Sequence, residues 1–103
     1  MGYAVVRYSV KNASLEENRA LVAKVFEELD QMAPQALQYL ALELENGEFI
    51  HGTQDGNDAS PLPQLAAFKA FTKNHAERRS TPVMRSPARL IGNYHMLVGK
   101  EPG

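Results

Sequence analysis

The sequence predicts an α+β domain in which the elements follow the order β-α-β-β-α-β. Three observations carry this expectation: two amphipathic helical stripes, a hairpin signal between them, and β-rich segments near both ends. The first segment, "YAVVRYSV" (Tyr3–Val10), is dense in β-branched and aromatic residues, the composition of a strand. "NASLEEN" then opens a helix. Ser14, with Glu17 three positions on, has the spacing of a capping box, in which each side chain serves the other's free backbone N–H. Leu21, Val22, Val25, Phe26, Leu29 and Met32 recur at helical spacing as one apolar stripe, while Glu16, Glu17, Glu27 and Glu28 lie elsewhere on the cylinder. Pro34 ends the helix, because it has no N–H to donate and does not fit a helix interior.

"ALQYLALELENGEFIHGT" reads as a hairpin. Alternation puts Leu40, Leu42 and Leu44 on one face and Leu37, Tyr39 and Ala41 on the other. Asn46-Gly47 signals a type I′ turn, in which both central residues take positive φ. The return strand places Phe49 and His51 on one face and Ile50 on the other. "QDGNDASPLP" then breaks regular structure. It is not a calcium loop: counted from Asp55, the place of the bidentate acid falls on Ala66. Asp55, Asn57 and Asp58 are read as turn formers in a connector long enough to act as a lid. A second helix is expected from Leu62, with Ser60 as N-cap and Pro61 at the first position. Leu65, Phe68, Phe71 or Thr72, and His75 share a side, and the helix ends between Ser80 and Pro82 with Arg78 and Arg79 in its last turn. "ARLIGNYHMLV" is expected as the last strand, followed by a tail, Gly99–Gly103, that frays. Two helices and four antiparallel strands in this order make the ferredoxin-like split βαβ arrangement, spanning residues 1–103 as one domain.

Composition narrows the function classes. The chain has 103 residues, 44% hydrophobic and 22% charged, within the ordinary range for a soluble globular domain. It has no cysteine, which excludes disulfides, thiolate metal sites and cysteine nucleophiles. The start lacks the pattern of a signal peptide, and no apolar run approaches the ~20 residues needed to cross a bilayer. A soluble, cytoplasmic protein with no membrane partner is expected. The net charge of −1 hides an asymmetry: residues 1–50 hold four basic and eight acidic groups, residues 51–103 seven basic and four acidic. Lys69, Lys73, Arg78, Arg79, Arg85 and Arg89 could face a small anion, or simply form a solvated surface. Neither the overall charge nor "GEFIHGT" fits a nucleic-acid partner, and no G-x-S-x-G elbow marks a serine hydrolase.

Both sheet faces carry apolar side chains, and two helices cover only one of them. Tyr3 and Val5 alternate with Ala4, Val6 and Tyr8; Phe49 and His51 alternate with Ile50; Ile91 and His95 alternate with Leu90, Tyr94 and Met96. A bare apolar face of that extent exceeds what a monomer tolerates. At ~25 cal/mol per Å², burying it would drive association, and two sheets packed about a two-fold axis form the simplest closed solution. A homodimer is expected.

The element order, long first helix, two-sided sheet and size resemble the dimeric α/β-barrel superfamily over Tyr3 to about Leu97. That superfamily includes antibiotic biosynthesis monooxygenase-like proteins, haem-degrading monooxygenases and stress-responsive barrel proteins. "SPLPQLAAFKAFTKNHAERRSTP" and "LIGNYHML" are similar to segments of small uncharacterised proteins of this type. The resemblance implies a pocket between sheet and helices in each subunit. Haem-degrading members use an asparagine, a tryptophan and an iron-ligating helix histidine. Asn74-His75 lies in suitable territory, but the chain has no tryptophan. Cofactor-independent, quinone-forming members favour tryptophan and asparagine near the substrate, places that Tyr8, Tyr39, Tyr94, Asn93 and His75 would have to take here.

These comparisons yield the candidate site. His75, Tyr94 and Asn93 are the candidate catalytic residues, since a histidine or tyrosine can hold or deprotonate a phenolic substrate. Tyr8, Tyr39, Phe68, Phe71 and Arg78 are the candidate substrate-binding residues, with a small apolar or aromatic molecule as ligand. No cofactor and no metal are expected, because His51, His75 and His95 lie on three separate elements without ligand spacing. His51 and His95 are expected on the dimer-side face, and His75 in the pocket. The function expected is that of a cofactor-independent monooxygenase-like enzyme on a small aromatic or polyketide-like molecule. The alternative is a non-catalytic ligand-binding or stress-related module.

Overall fold

The computed structural model describes residues 3–34, 37–54 and 61–96. Four strands, β1 (Tyr3–Ser9), β2 (Gln38–Glu43), β3 (Glu48–Gln54) and β4 (Met84–Ala88), form one antiparallel sheet in the order β2-β3-β1-β4. Three helices, α1 (Leu15–Met32), α2 (Ala66–Thr72) and α3 (His75–Arg78), complete the described chain. This is the ferredoxin-like arrangement expected from the sequence.

Register decides which side chains meet the helices. Cross-strand partners share a face, so Val6 opposite His51, Tyr8 opposite Phe49, and Ala41 opposite His51 all point the same way. Tyr8, Phe49 and His51 are buried there. The core consists of Tyr8, Val10, Val25, Phe49, Leu62, Leu65 and Phe71, packed against Leu21, Val22 and Leu29 of α1. His51 therefore lies on the helix side of the sheet, not on the open face where it was expected. The open face carries Tyr3, Val5 and Ile50, half-buried, with Leu40 at 37% and Leu42 at 54% exposure beside them. Arg7 and Glu48 pair at 3.5 Å between β1 and β3, and Arg19 of α1 grips Glu43 of β2 through two bonds of 2.7 and 2.9 Å.

Several local expectations are corrected. The capping box does not form. A 3-10 turn over Asn12–Ser14 precedes α1 and leaves Ser14 at φ −111, ψ 5, away from the extended backbone that an N-cap side chain needs. Met32 is 60% exposed and lies outside the core, whereas Asn18, in line with Leu21, Val22 and Val25, is fully buried. The hairpin turn is not type I′, because only Gly47 has positive φ, at 89°. Gly47 N–H donates to the Leu44 carbonyl at 3.1 Å and Leu44 N–H to the Glu48 carbonyl at 2.8 Å, the pattern of a three-residue loop ending in a left-handed glycine. The Asn46 side chain accepts from Glu48 N–H at 3.0 Å, a local bond that holds the turn without positive φ at Asn46.

The second helix is broken. A 3-10 turn over Leu62–Gln64 precedes α2, and the expected cap Ser60 lies outside the described residues. Glu28 of α1 instead accepts the first-turn N–H of Ala67 at 2.7 Å. Asn74 adopts φ 62 and separates α2 from α3. The break turns Arg78 back onto the end of α2, where its guanidinium donates to the carbonyls of Phe71 at 2.6 Å and Lys73 at 3.2 Å.

The last strand also lies earlier than expected. β4 ends at Ala88, opposite Tyr3, where the described part of β1 begins. Pro87 lies within β4, and it is tolerated there because β4 is an edge strand, where a missing donor breaks no ladder on its outer side. Residues 89–96 form an arm outside the sheet, with Ile91 at 93% and Met96 at 81% exposure. The frayed tail expected at Gly99–Gly103 and the loop residues Asp55, Asn57 and Asp58 lie outside the described residues.

Phe49 sits at 2% exposure, stacked on Tyr8 at 5.6 Å between centroids. Phe49→Ala is expected to lower the unfolding free energy by about 3–5 kcal/mol in urea denaturation. A loss below about 1 kcal/mol would contradict this assignment of the core.

Candidate functional site

A cavity of about 410 Å³ lies between the sheet and the second helical region, within the range of small-molecule sites. Alternation brings Val6 and Tyr8 of β1, Tyr39 of β2 and His51 of β3 to its sheet side. Phe68 and Phe71 of α2 and His75 of α3 close the opposite side. Leu62 and Val83 add apolar wall, and Arg85, an exposed residue of β4, also borders the space.

The rings form a continuous aromatic lining. Tyr8 meets the His75 ring edge-on at 4.6 Å, Phe71 lies 4.9 Å from His75 and 5.6 Å from His51, and Phe26 stacks on Tyr39 at 4.9 Å. Through this lining runs a chain of buried polar bonds. The Tyr39 hydroxyl bonds His51 Nδ1 at 2.7 Å, and His51 Nε2 bonds the Tyr8 hydroxyl at 2.8 Å. Asn18 Nδ2 donates to Tyr8 Oη at 3.2 Å, and Arg78 Nε donates to Asn18 Oδ1 at 3.0 Å. Buried polar groups need such partners, and here each finds one on a different element.

Burial sets the charge states. It pushes the Tyr8 phenol up to about 12, against the opposing pull of the Asn18 bond and the Arg78 charge. Tyr39 is raised as well, mainly by burial and secondarily by Tyr8. His51 is lowered to about 4 by burial. His75 is lowered to about 4, first by burial and then by the charges of Arg78 and Arg79 and by His51. Both imidazoles and both phenols are therefore neutral near pH 7. His75 Nε2 and Arg79 Nε are buried without a partner among the described residues.

The candidates singled out in the sequence separate into three groups. Tyr8, Tyr39, Phe68, Phe71 and His75 come together around the cavity. Arg78 stands behind it at 3% exposure, with Nε, Nη1 and Nη2 all donating within the protein rather than facing a ligand. Asn93 and Tyr94 belong to the arm outside the sheet, Tyr94 at 84% exposure, and do not converge with His75. His95 also lies on this arm, at φ 65, apart from His51. Two residues of the site, Asn18 and His51, were not expected there. Asn18 left one signal, an asparagine in the middle of an apolar helical stripe. Among the described residues no group of three histidines or carboxylates could hold a metal ion, and no helix is long and apolar enough to cross a membrane.

Solved structures share this architecture. A protein from Nitrosomonas europaea described as "putative antibiotic biosynthesis monooxygenase" superposes with a TM-score of 0.73 at 14% identity, covering 89% of this chain and 100% of its own. One of the same description from Deinococcus radiodurans matches with a TM-score of 0.64 at 14% identity, over 94% of this chain and 99% of its own. A conserved protein from Methanosarcina mazei Go1 reaches 21% identity with a TM-score of 0.62, over 86% of this chain and 92% of its own. No protein-family model matches the sequence, and no curated protein matches it. The chain has the fold of the antibiotic biosynthesis monooxygenase-like proteins, the group its element order resembles.

The two lowered histidines make acid stability a readout of the site. An unfolded chain takes up protons at histidine below about pH 6.5, whereas the native imidazoles resist until about 4. Stability is expected to fall as pH drops through this window, with about 3 kcal/mol of the loss due to His51. Urea midpoints measured from pH 7 to pH 4 check it, and His51→Gln should flatten the dependence.

Proposed function

We propose that the chain is a monooxygenase-like protein that needs no cofactor and takes a small aromatic or polyketide-like molecule into this cavity. One observation carries the reading: a cavity of about 410 Å³, walled by aromatic rings, with the neutral imidazole of His75 among them. Flat aromatic molecules suit the rings of Phe68, Phe71 and Tyr8. In the reaction proposed, dioxygen oxidises an activated methylene to a carbonyl. One oxygen atom ends in the product and the other leaves as water with the two hydrogens. His75 accepts the proton that leaves the substrate. Tyr8, Tyr39, Phe68 and Phe71 hold the ring system. The proteins of similar fold bear the description of monooxygenases, which agrees with this reading at the level of fold.

The lowered histidines favour a second reading. A base held near 4 is weak at pH 7, and a pocket of neutral groups also suits a binding module without catalysis. Oxygen consumption over a panel of hydroquinones and anthrone-type compounds separates the two. The enzyme reading expects substrate-dependent uptake that falls at least tenfold in His75→Ala, a typical scale for a lost general base. No uptake, or equal uptake in both proteins, would remove the role of His75 and leave the binding module.

The homodimer belongs to the same proposal. Leu40, Leu42 and Met84 are exposed on or beside the open sheet face, and the arm adds Ile91 and Met96. A second copy laid sheet against sheet would cover them. Light scattering is expected to return twice the chain mass, and Leu42→Glu, exposed in the subunit, should shift the mass to that of one chain while leaving the fold intact.

A further inference from the structure

From the polar chain described above we infer that the Tyr39 hydroxyl is the hydrogen-bond donor of the cavity, oriented by Arg78, Asn18, Tyr8 and His51, and that the site selects ligands carrying a carbonyl or phenolate oxygen. This rests on the reading of the cavity as a small-molecule site, and it adds the direction in which the site is polarised.

The direction follows from counting protons. Arginine has donors and no acceptor, so the bond from Arg78 Nε fixes the Asn18 carbonyl oxygen towards Arg78 and its NH₂ towards Tyr8. Tyr8 Oη accepts from Asn18, and its own proton has one remaining partner, His51 Nε2. At 2% exposure that proton has no solvent to turn to. A neutral imidazole has one N–H and one lone pair. With the lone pair of Nε2 taken by Tyr8, the hydrogen sits on Nδ1 and is donated to Tyr39 Oη. Tyr39 thus accepts from the protein, and its hydroxyl hydrogen is left for the space it borders. Each bond polarises the next in the same sense, which strengthens the terminal donor. Asn18, Tyr8 and His51 are positioning residues in this scheme; Tyr39 is the group that touches the ligand.

The test compares xanthone, a flat tricyclic ketone, with xanthene, the same skeleton without the carbonyl. Wild type is expected to bind xanthone about three- to tenfold more tightly, the scale of one net hydrogen bond. The bound xanthone carbonyl stretch should move to lower frequency. Tyr39→Phe should abolish both the preference and the infrared shift while keeping xanthene binding. Independently of any ligand, imidazole ¹⁵N chemical shifts should place the His51 proton on Nδ1, with His75→Gln and His95→Gln assigning the other rings. Asn18→Asp gives a near-isosteric reversal. The introduced carboxylate accepts from Tyr8, so the His51 proton should move to Nε2, Tyr39 should donate to His51, and the xanthone preference should vanish with Tyr39 in place. Equal affinity of wild type for the two compounds, or an Nε2 proton on His51 in wild type, overturns the donor role alone. An undiminished preference in Asn18→Asp with His51 still protonated on Nδ1 overturns the positioning. Failure of both compounds to bind wild type counts against the small-molecule site itself, and the donor role goes with it.

Discussion

Arg78 is a cation with only donors, and the fold buries it almost completely. Burying such a group is tolerable only if its N–H bonds find acceptors, and each acceptor it finds constrains a different part of the chain. The carbonyls of Phe71 and Lys73 require α2 to stop where it does, and Asn74 supplies the left-handed residue that lets the chain double back. The carbonyl of Asn18 requires a polar residue inside the apolar stripe of α1. Through Asn18 the constraint reaches Tyr8 on β1 and His51 on β3. One guanidinium thus ties both helical regions to the centre of the sheet.

The result is a cavity that is polar in its bonding and neutral in its charge. Burial raises the phenols and lowers the imidazoles, so charge stays at the margin, on Arg78 and Arg79 behind the wall and on Arg85 beside the opening strand. Rings supply most of the surface, and rings recognise flat molecules without demanding a particular substituent pattern. The polar groups of the lining include Tyr39 and His75. On the other side of the sheet, no helix among the described residues covers the apolar residues of β1 to β3. One face lines the cavity and the other leaves apolar residues exposed.

Element type and order were legible because they depend on short-range signals. The helical stripe of α1, the alternation of β1 to β3 and the Asn46-Gly47 hairpin all express periodicities within a few residues. Boundaries and caps were less so. Ser14 and Glu17 have the right spacing, but the 3-10 turn before α1 removes the backbone geometry that would let them use it. β4 was hidden by Pro87, which is acceptable only because β1 leaves that strand at an edge. The apolar run after it, read as a strand, has no described partner left to pair with once β4 has passed Tyr3.

For the site, the sequence alone determined the kinds of group available: tyrosines, histidines and phenylalanines, without cysteine or tryptophan. It also determined the faces on which most of them lie, because alternation and helical period set side-chain direction locally. Only the tertiary structure decided which of them meet. The bonds joining Tyr8 to His51 and Arg78 to Asn18 span 43 and 60 residues, and no local pattern encodes a pairing at that distance. Burial, which sets the protonation of these groups, is likewise a property of the packed whole. A buried cation with no acceptor of its own leaves only one arrangement of protons along the chain, and that arrangement exists only after packing has closed.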